Sequence, residues 1–160
     1  APAAADNSWY PAGFMEELEE NQPWLDYALD RVDNLVNGIM AQGFDSSNIV
    51  LLGFSQGACL VSEYAVRHAR RYGAIIAFTG GIIGPRCHVW DYPGDFEKTP
   101  VFLGSSDIDE WVPEERVHKT ARIMQSMNAD VRVRIYPGME HIINDDEIDE
   151  ARRLFLNCLK

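Results

Sequence analysis

Ile49-Val50-Leu51-Leu52-Gly53-Phe54-Ser55-Gln56-Gly57-Ala58 is the stretch that decides the fold. The continuous apolar run Ile49 to Leu52 fits a strand covered on both faces, as in a parallel sheet. Residues from about Gln56 to Arg70 carry Leu60, Val61, Tyr64 and Ala65 in a helical pattern. Between them, Gly53-Phe54-Ser55-Gln56-Gly57 matches G-x-S-x-G. A pentapeptide of this kind occurs by chance, and a glycine-flanked structural turn is the alternative reading. Strand before and helix after is the context that gives the motif meaning. A serine there occupies a sharp, strained turn, and flanking glycines let neighbouring backbone approach without a clashing Cβ. Its hydroxyl is pushed out above the strand ends, where the helix aims free N–H groups at developing negative charge. The Gln56 N–H is the expected oxyanion donor.

Outward from this stretch, the elements alternate. Upstream, Asn21-Gln22-Pro23 reads as a helix start, with Asn21 as cap. Leu25, Leu29, Val32, Val36 and Ile39 follow as one buried face, and Gly43 ends the helix. Downstream, Ala74 to Phe78 reads as a strand and Pro85 to Lys98 as an irregular loop. Pro100 to Leu103 reads as a strand stopped by Gly104-Ser105-Ser106. Pro113 opens a helix with Val117, Ala121, Met124 and Met127 inward, and Val131 to Tyr136 reads as a strand nearer the sheet edge. Asn144 caps a last helix, with Glu147 completing a capping box and Ile148, Leu154 and Phe155 facing inward. Strand and helix in alternation predict an α/β fold with a mostly parallel sheet, in a single domain spanning residues 1–160.

Composition narrows the function. The 25 acidic and 14 basic residues give a net charge of −11, which disfavours nucleic acid and anionic membrane surfaces as partners. The apolar runs are far shorter than the roughly 20 residues a membrane-spanning helix needs. Ala1 to Ala5 lack a basic region and do not read as a signal peptide. The chain has no initiator Met, so a processed chain or a piece of a longer one is expected. Cys59, Cys87 and Cys158 are odd in number and widely spaced, which argues against a disulfide framework and against a metal site, and points to a cytoplasmic location. Cys59 falls in an apolar helical pattern and is expected in the core.

A serine hydroxyl needs a base. Among four histidines, His68 sits at a helix end beside Arg67 and Arg70, His118 lies on the outer side of an amphipathic helix, and His88 lies in the irregular loop. His141 follows the last strand, just before the capped helix, at the strand edge where sites gather in this fold class. The order Ser, acid, His is also the order of triads in such folds. The acid should follow the strand that ends near Leu103, where Asp107, Asp109 and Glu110 are all available. Position alone does not choose among them.

Five stretches together resemble the phospholipase/carboxylesterase family, relatives of the acyl-protein thioesterases. They are Trp9-Tyr10-Pro11, Gly53 to Ala58, Thr79-Gly80-Gly81, Asp109-Glu110-Trp111-Val112-Pro113 and Tyr136-Pro137-Gly138-Met139-Glu140-His141. The resemblance implies an α/β-hydrolase fold and cofactor-free hydrolysis of short- to medium-chain acyl esters or thioesters. It also implies Asp109 as the acid and Trp9 and Tyr10 as acyl-pocket wall. Glu110 stands where the family usually has proline. Family members carry about 50 further residues before the position of Ala1, a segment in keeping with ordinary domain sizes. That segment holds the first strands and an H-G loop supplying the second oxyanion N–H, and loss of one such donor costs about 10²–10³ in kcat.

The expected function is therefore a serine carboxylesterase using Ser55, His141 and Asp109. An acyl thioesterase or lysophospholipase on the same residues is one alternative. A catalytically impaired fragment kept as a structural module is another. Ile49 to Gly53 is too apolar for an open sheet edge. A second copy of the chain, or a longer parent protein, is expected to cover it.

Overall fold

The computed structural model describes residues 2–158. Helix α1 (Trp24–Ala41) is followed by β1 (Val50–Phe54), α2 (Gln56–Arg67), β2 (Ala74–Phe78), β3 (Pro100–Ser106), α3 (Glu114–Ser126), β4 (Asp130–Tyr136) and α4 (Asp145–Cys158). The four strands form one sheet in the order β1-β2-β3-β4, and every neighbouring pair is parallel. The sequence-based fold class stands: a parallel sheet flanked by helices.

Side-chain alternation explains the layers, because successive residues of a strand point to opposite faces. Leu51, Ile75, Ala77, Val101 and Leu103 join the inner faces of α1, α2 and α3 in the larger core. Ala74, Ile76, Phe78 and Phe102 point the other way, against Ala151 and Leu154 of α4. The second face is covered only there. At β1 it stays open, with Leu52 45% and Phe54 39% exposed. The run Ile49 to Leu52 is therefore covered on one face rather than two. β1 is an edge strand among the described residues, and no helix reaches over its outer face.

Other expectations need correcting. Asn21 does not cap α1, which starts at Trp24 without a side-chain cap. It is buried instead, accepting the Ala12 N–H at 2.8 Å and donating to the Gly13 carbonyl at 3.0 Å. It thereby pins the segment that leads to the site. Helix α2 stops at Arg67, short of Arg70. Gly104-Ser105-Ser106 do not end β3 but continue it, because β4 pairs with all three. Phe155 is exposed. The inner face of α4 is Glu147, Glu150, Ala151 and Leu154.

The capping box at α4 forms as expected. The Asn144 N–H donates to Glu147 Oε2 and the Glu147 N–H donates to Asn144 Oδ1, both at 2.9 Å. Glu147 Oε1 is buried without a hydrogen-bond partner among the described residues, against Gly104, where a Cβ would collide with it. Burial raises the Glu147 pKa above its ordinary 4.5. A raised folded-state pKa means the folded protein binds that proton more tightly than the unfolded chain. The associated stability is complete below the unfolded value of 4.5 and is lost as pH rises through the folded value. Glu147→Gln keeps the cap acceptor without the charge. It should raise the neutral-pH melting temperature and flatten its dependence on pH over this window, in thermal melts followed by circular dichroism. Superimposable pH profiles would contradict this.

Candidate active site

Ser55 joins β1 to α2 with φ 53° and ψ −123°, a conformation a non-glycine residue holds only under strain. Two features enforce it. The Ser55 N–H donates to the Phe78 carbonyl at 2.9 Å, extending the β1–β2 ladder one residue past the strand. The Ser55 carbonyl accepts from the Ala58 and Cys59 N–H groups at 2.9 and 3.0 Å, starting the helix. The turn is tight enough that a Cβ on Gly53 would lie 2.2 Å from the Gly57 carbonyl oxygen. Gln56 is the first residue of α2, so its N–H has no acceptor within the helix.

Three loops at the carboxyl ends of β1, β3 and β4 meet over this turn. His141 Nε2 lies 2.8 Å from Ser55 Oγ, and His141 Nδ1 lies 2.8 Å from Asp109 Oδ2. These distances fit a nucleophile–base–orienter chain. The arrangement favours the tautomer with the proton on Nδ1, donated to Asp109, and Nε2 accepting from the Ser55 hydroxyl. The imidazole also packs against the Phe54 ring, with centroids 5.2 Å apart.

The sequence left three acids open at this edge, and their geometry separates them. The Asp109 side chain is fully buried, and its Oδ1 accepts the N–H groups of Trp111 and Val112 at 2.8 Å each. That fixes the carboxylate and leaves Oδ2 for the histidine. Asp107 accepts the Gly138 N–H at 2.7 Å and so ties the β3 loop to the β4 loop. The Ser106 hydroxyl, donating to the Met139 carbonyl, does the same. Glu110 is exposed, with no hydrogen bond among the described residues. The other histidines lie elsewhere. His68 stacks on Tyr64, His118 pairs with Glu114, and His88 packs edge-on against Trp90.

Ser55 and His141 open into a cavity of about 530 Å³ whose wall includes Tyr10, Phe14, Cys59, Trp111 and Val112. Tyr10 lies in this wall. Trp9 does not. It lines a separate depression with Trp24 and Tyr27. Trp9 and Tyr10 lie in a run of bends, and the two side chains go to different cavities. Sequence reasoning missed Phe14, Trp111 and Val112. The last two follow Asp109 directly, and that adjacency was the available signal. The Gln56 carboxamide holds the wall in place. Its Oε1 accepts the Trp9 N–H at 2.8 Å, and its Nε2 donates to the Tyr10 carbonyl at 2.8 Å. The Cys59 thiol is buried in the wall, and burial pushes its pKa up to about 12.

Comparison with known proteins gives the family. A family model described as Phospholipase/Carboxylesterase matches residues 3–159. A crystal structure of a phospholipase/carboxylesterase from Dyadobacter fermentans superposes with a TM-score of 0.90 at 47% identity, covering 98% of this chain and 74% of that one. Acyl-protein thioesterase 1 of Saccharomyces cerevisiae is 28% identical over 125 residues, 77% of this chain and 55% of that protein. Acyl-protein thioesterase 1 of Eremothecium gossypii is 30% identical over 126 residues, 75% of this chain and 52% of that protein. The chain thus spans about half the length of the curated relatives it matches.

Proposed function

Because the chain belongs to the phospholipase/carboxylesterase family, we propose that it hydrolyses acyl esters through an acyl-enzyme on Ser55. The observation that carries this reading is the unbroken hydrogen-bonded chain from Ser55 Oγ through His141 to the buried Asp109. In the first step His141 Nε2 takes the Ser55 proton as Oγ attacks the ester carbonyl. The Gln56 N–H, at the positive end of α2, stabilises the oxyanion. His141 then protonates the leaving alcohol. Water, activated by the same imidazole, releases the acid. Asp109 holds the tautomer and balances the imidazolium charge in both halves. The chemistry calls for no metal or cofactor.

The apolar wall of Tyr10, Phe14, Trp111 and Val112 suits a short- to medium-chain acyl group. The same three residues would serve a thioester, which matters because two of the relatives are named acyl-protein thioesterases. No helix among the described residues is long and apolar enough to cross a membrane. We place the protein in the cytoplasm on its unpaired cysteines. The open β1 edge, with Leu52 and Phe54 exposed beside unpaired backbone, fits a second copy of the chain or further strands of a longer parent protein.

A fluorophosphonate probe tests the central claim. Wild-type protein should gain one adduct, mapped by mass spectrometry to Ser55. Folded protein that resists labelling would favour the reading of an impaired fragment kept as a structural module. Rates on matched p-nitrophenyl ester and acyl-thiol substrates would then decide between ester and thioester preference.

A further inference from the structure

Beside the Ser55 cavity lies a second one, of about 240 Å³, between α3 and the loop that carries Arg86 and Trp90. Arg86, Arg116, Lys119 and Arg122 all line it, and Glu115 is its single carboxylate. This is anomalous in a chain of 25 acidic and 14 basic residues. Arg67, Arg132, Arg134, Arg152 and Arg153 each sit within ion-pair distance of a carboxylate. None of the four cations around this cavity does, and neither do the dispersed Arg31, Arg70, Arg71 and Lys98, among the described residues; what sets the four apart is that they share one cavity. Like charges gathered in a concavity repel one another and focus a positive field there.

Arg116 anchors the cluster. It is 4% exposed, and its Nη1 donates to the carbonyls of Ile82 and Gly84 at 2.7 and 2.8 Å. Its Nε and Nη2 make no hydrogen bond among the described residues. Burial holds its pKa below the ordinary arginine value, and the charge of Arg86 acts in the same direction. Arg116 and Lys119 lie 5.0 and 5.4 Å from the centroid of the Trp90 ring, which stabilises their charges without neutralising them.

We propose that this cavity is an anion site that takes the phosphate group of a soluble ligand, distinct from the Ser55 cavity. Four cations against one carboxylate leave a formal surplus of three positive charges, which a dianion matches better than a monoanion. Guanidinium forks suit tetrahedral phosphate oxygens, and phosphate offers several strong acceptors at once. The Trp90 ring is already engaged by two cations, so the site recognises charge rather than a stacked base. The chain's net charge of −11 repels an anionic bilayer, which favours a soluble source over a lipid headgroup.

The site also touches the Ser55 cavity. Phe14 and Val112 line that cavity, and the very next residues, Met15 and Pro113, line this one. A ligand here would grip two walls that the acyl pocket shares.

Titration calorimetry with inorganic phosphate and with glycerol 3-phosphate, at ionic strength held constant with sodium chloride, tests the proposal. Saturable binding is expected, weakened at least tenfold in the double variant Arg86→Gln/Arg122→Gln. Both side chains are exposed and neither lines the Ser55 cavity, so fluorophosphonate labelling of that variant should stay at the wild-type level and report its fold. The proposal is overturned by heats no larger than those of the chloride control, by undiminished binding in the variant, or by equal binding of succinate. It is also overturned if phosphatidic acid vesicles bind while both soluble phosphates do not.

Discussion

Ser55→Ala should lower kcat for ester hydrolysis by about 10⁶-fold, and His141→Ala should cost about as much. The reason lies in the 2.8 Å contact between the two side chains. A serine hydroxyl without its base is a poor nucleophile, and a base without a nucleophile has no proton to accept. The two therefore act as a unit, and the double variant should be scarcely worse than either single one. Asp109→Asn should fall between, at about 10⁴-fold, because an amide that offers N–H to Nδ1 favours the wrong imidazole tautomer. Its fold should survive, since the amide oxygen can still accept from Trp111 and Val112. Steady-state kinetics on p-nitrophenyl esters measures all four proteins. Additive losses in the double variant, or an Asp109→Asn enzyme of near wild-type rate, would refute the mechanism.

Gly53→Ala should be the most damaging single-methyl change in the chain. The added carbon would lie 2.2 Å from the Gly57 carbonyl oxygen, 2.4 Å from its carbon and 2.6 Å from the Ala58 nitrogen. All three are backbone atoms at the start of α2, and none can swing aside as a side-chain tip would. Relief requires β1 and α2 to separate, which displaces Ser55. Overpacking of this kind costs about 3 kcal/mol, a large part of a total stability of roughly 5–15 kcal/mol. The melting temperature should drop by about 6–12 °C. Gly38→Ala provides the contrast. Gly38 lies in α1 with nothing within 4 Å of the added carbon, so removing backbone entropy should raise the melting temperature by about 2–4 °C. Differential scanning calorimetry compares both with wild type. A Gly53→Ala protein that melts with wild type would mean the turn is looser than described.

Much of the scaffold was legible because its signals are local. The apolar run at Leu51, the helical spacing from Leu25 to Val36, and the reciprocal cap at Asn144 and Glu147 each depend on a few neighbouring residues. What misled were residues whose roles are set by distant partners. Gly104 looks like a strand stop, yet β4 pairs beside it and Glu147 packs against its bare Cα. Asn21 looks like a cap, yet it serves backbone groups nine and eight residues upstream. Phe155 has helical spacing, but α4 covers only the middle of the sheet and leaves that position outside. At the site, the serine and histidine were legible from motif and chain order. The acid was not legible from position, because burial and the His141 contact, which set Asp109 apart from Asp107 and Glu110, arise only in the folded chain. The basic cavity draws Arg86 and Arg116 from segments thirty residues apart, and no linear pattern marks it.

The thiol of Cys59 sits in the same wall as the reactive hydroxyl, but its high pKa leaves almost no thiolate at neutral pH. Alkylating reagents will therefore find the exposed Cys87 and pass this pocket by. Inhibitor chemistry directed at the cleft has an oxygen to trap, and sulfur-seeking warheads report only on the outer surface.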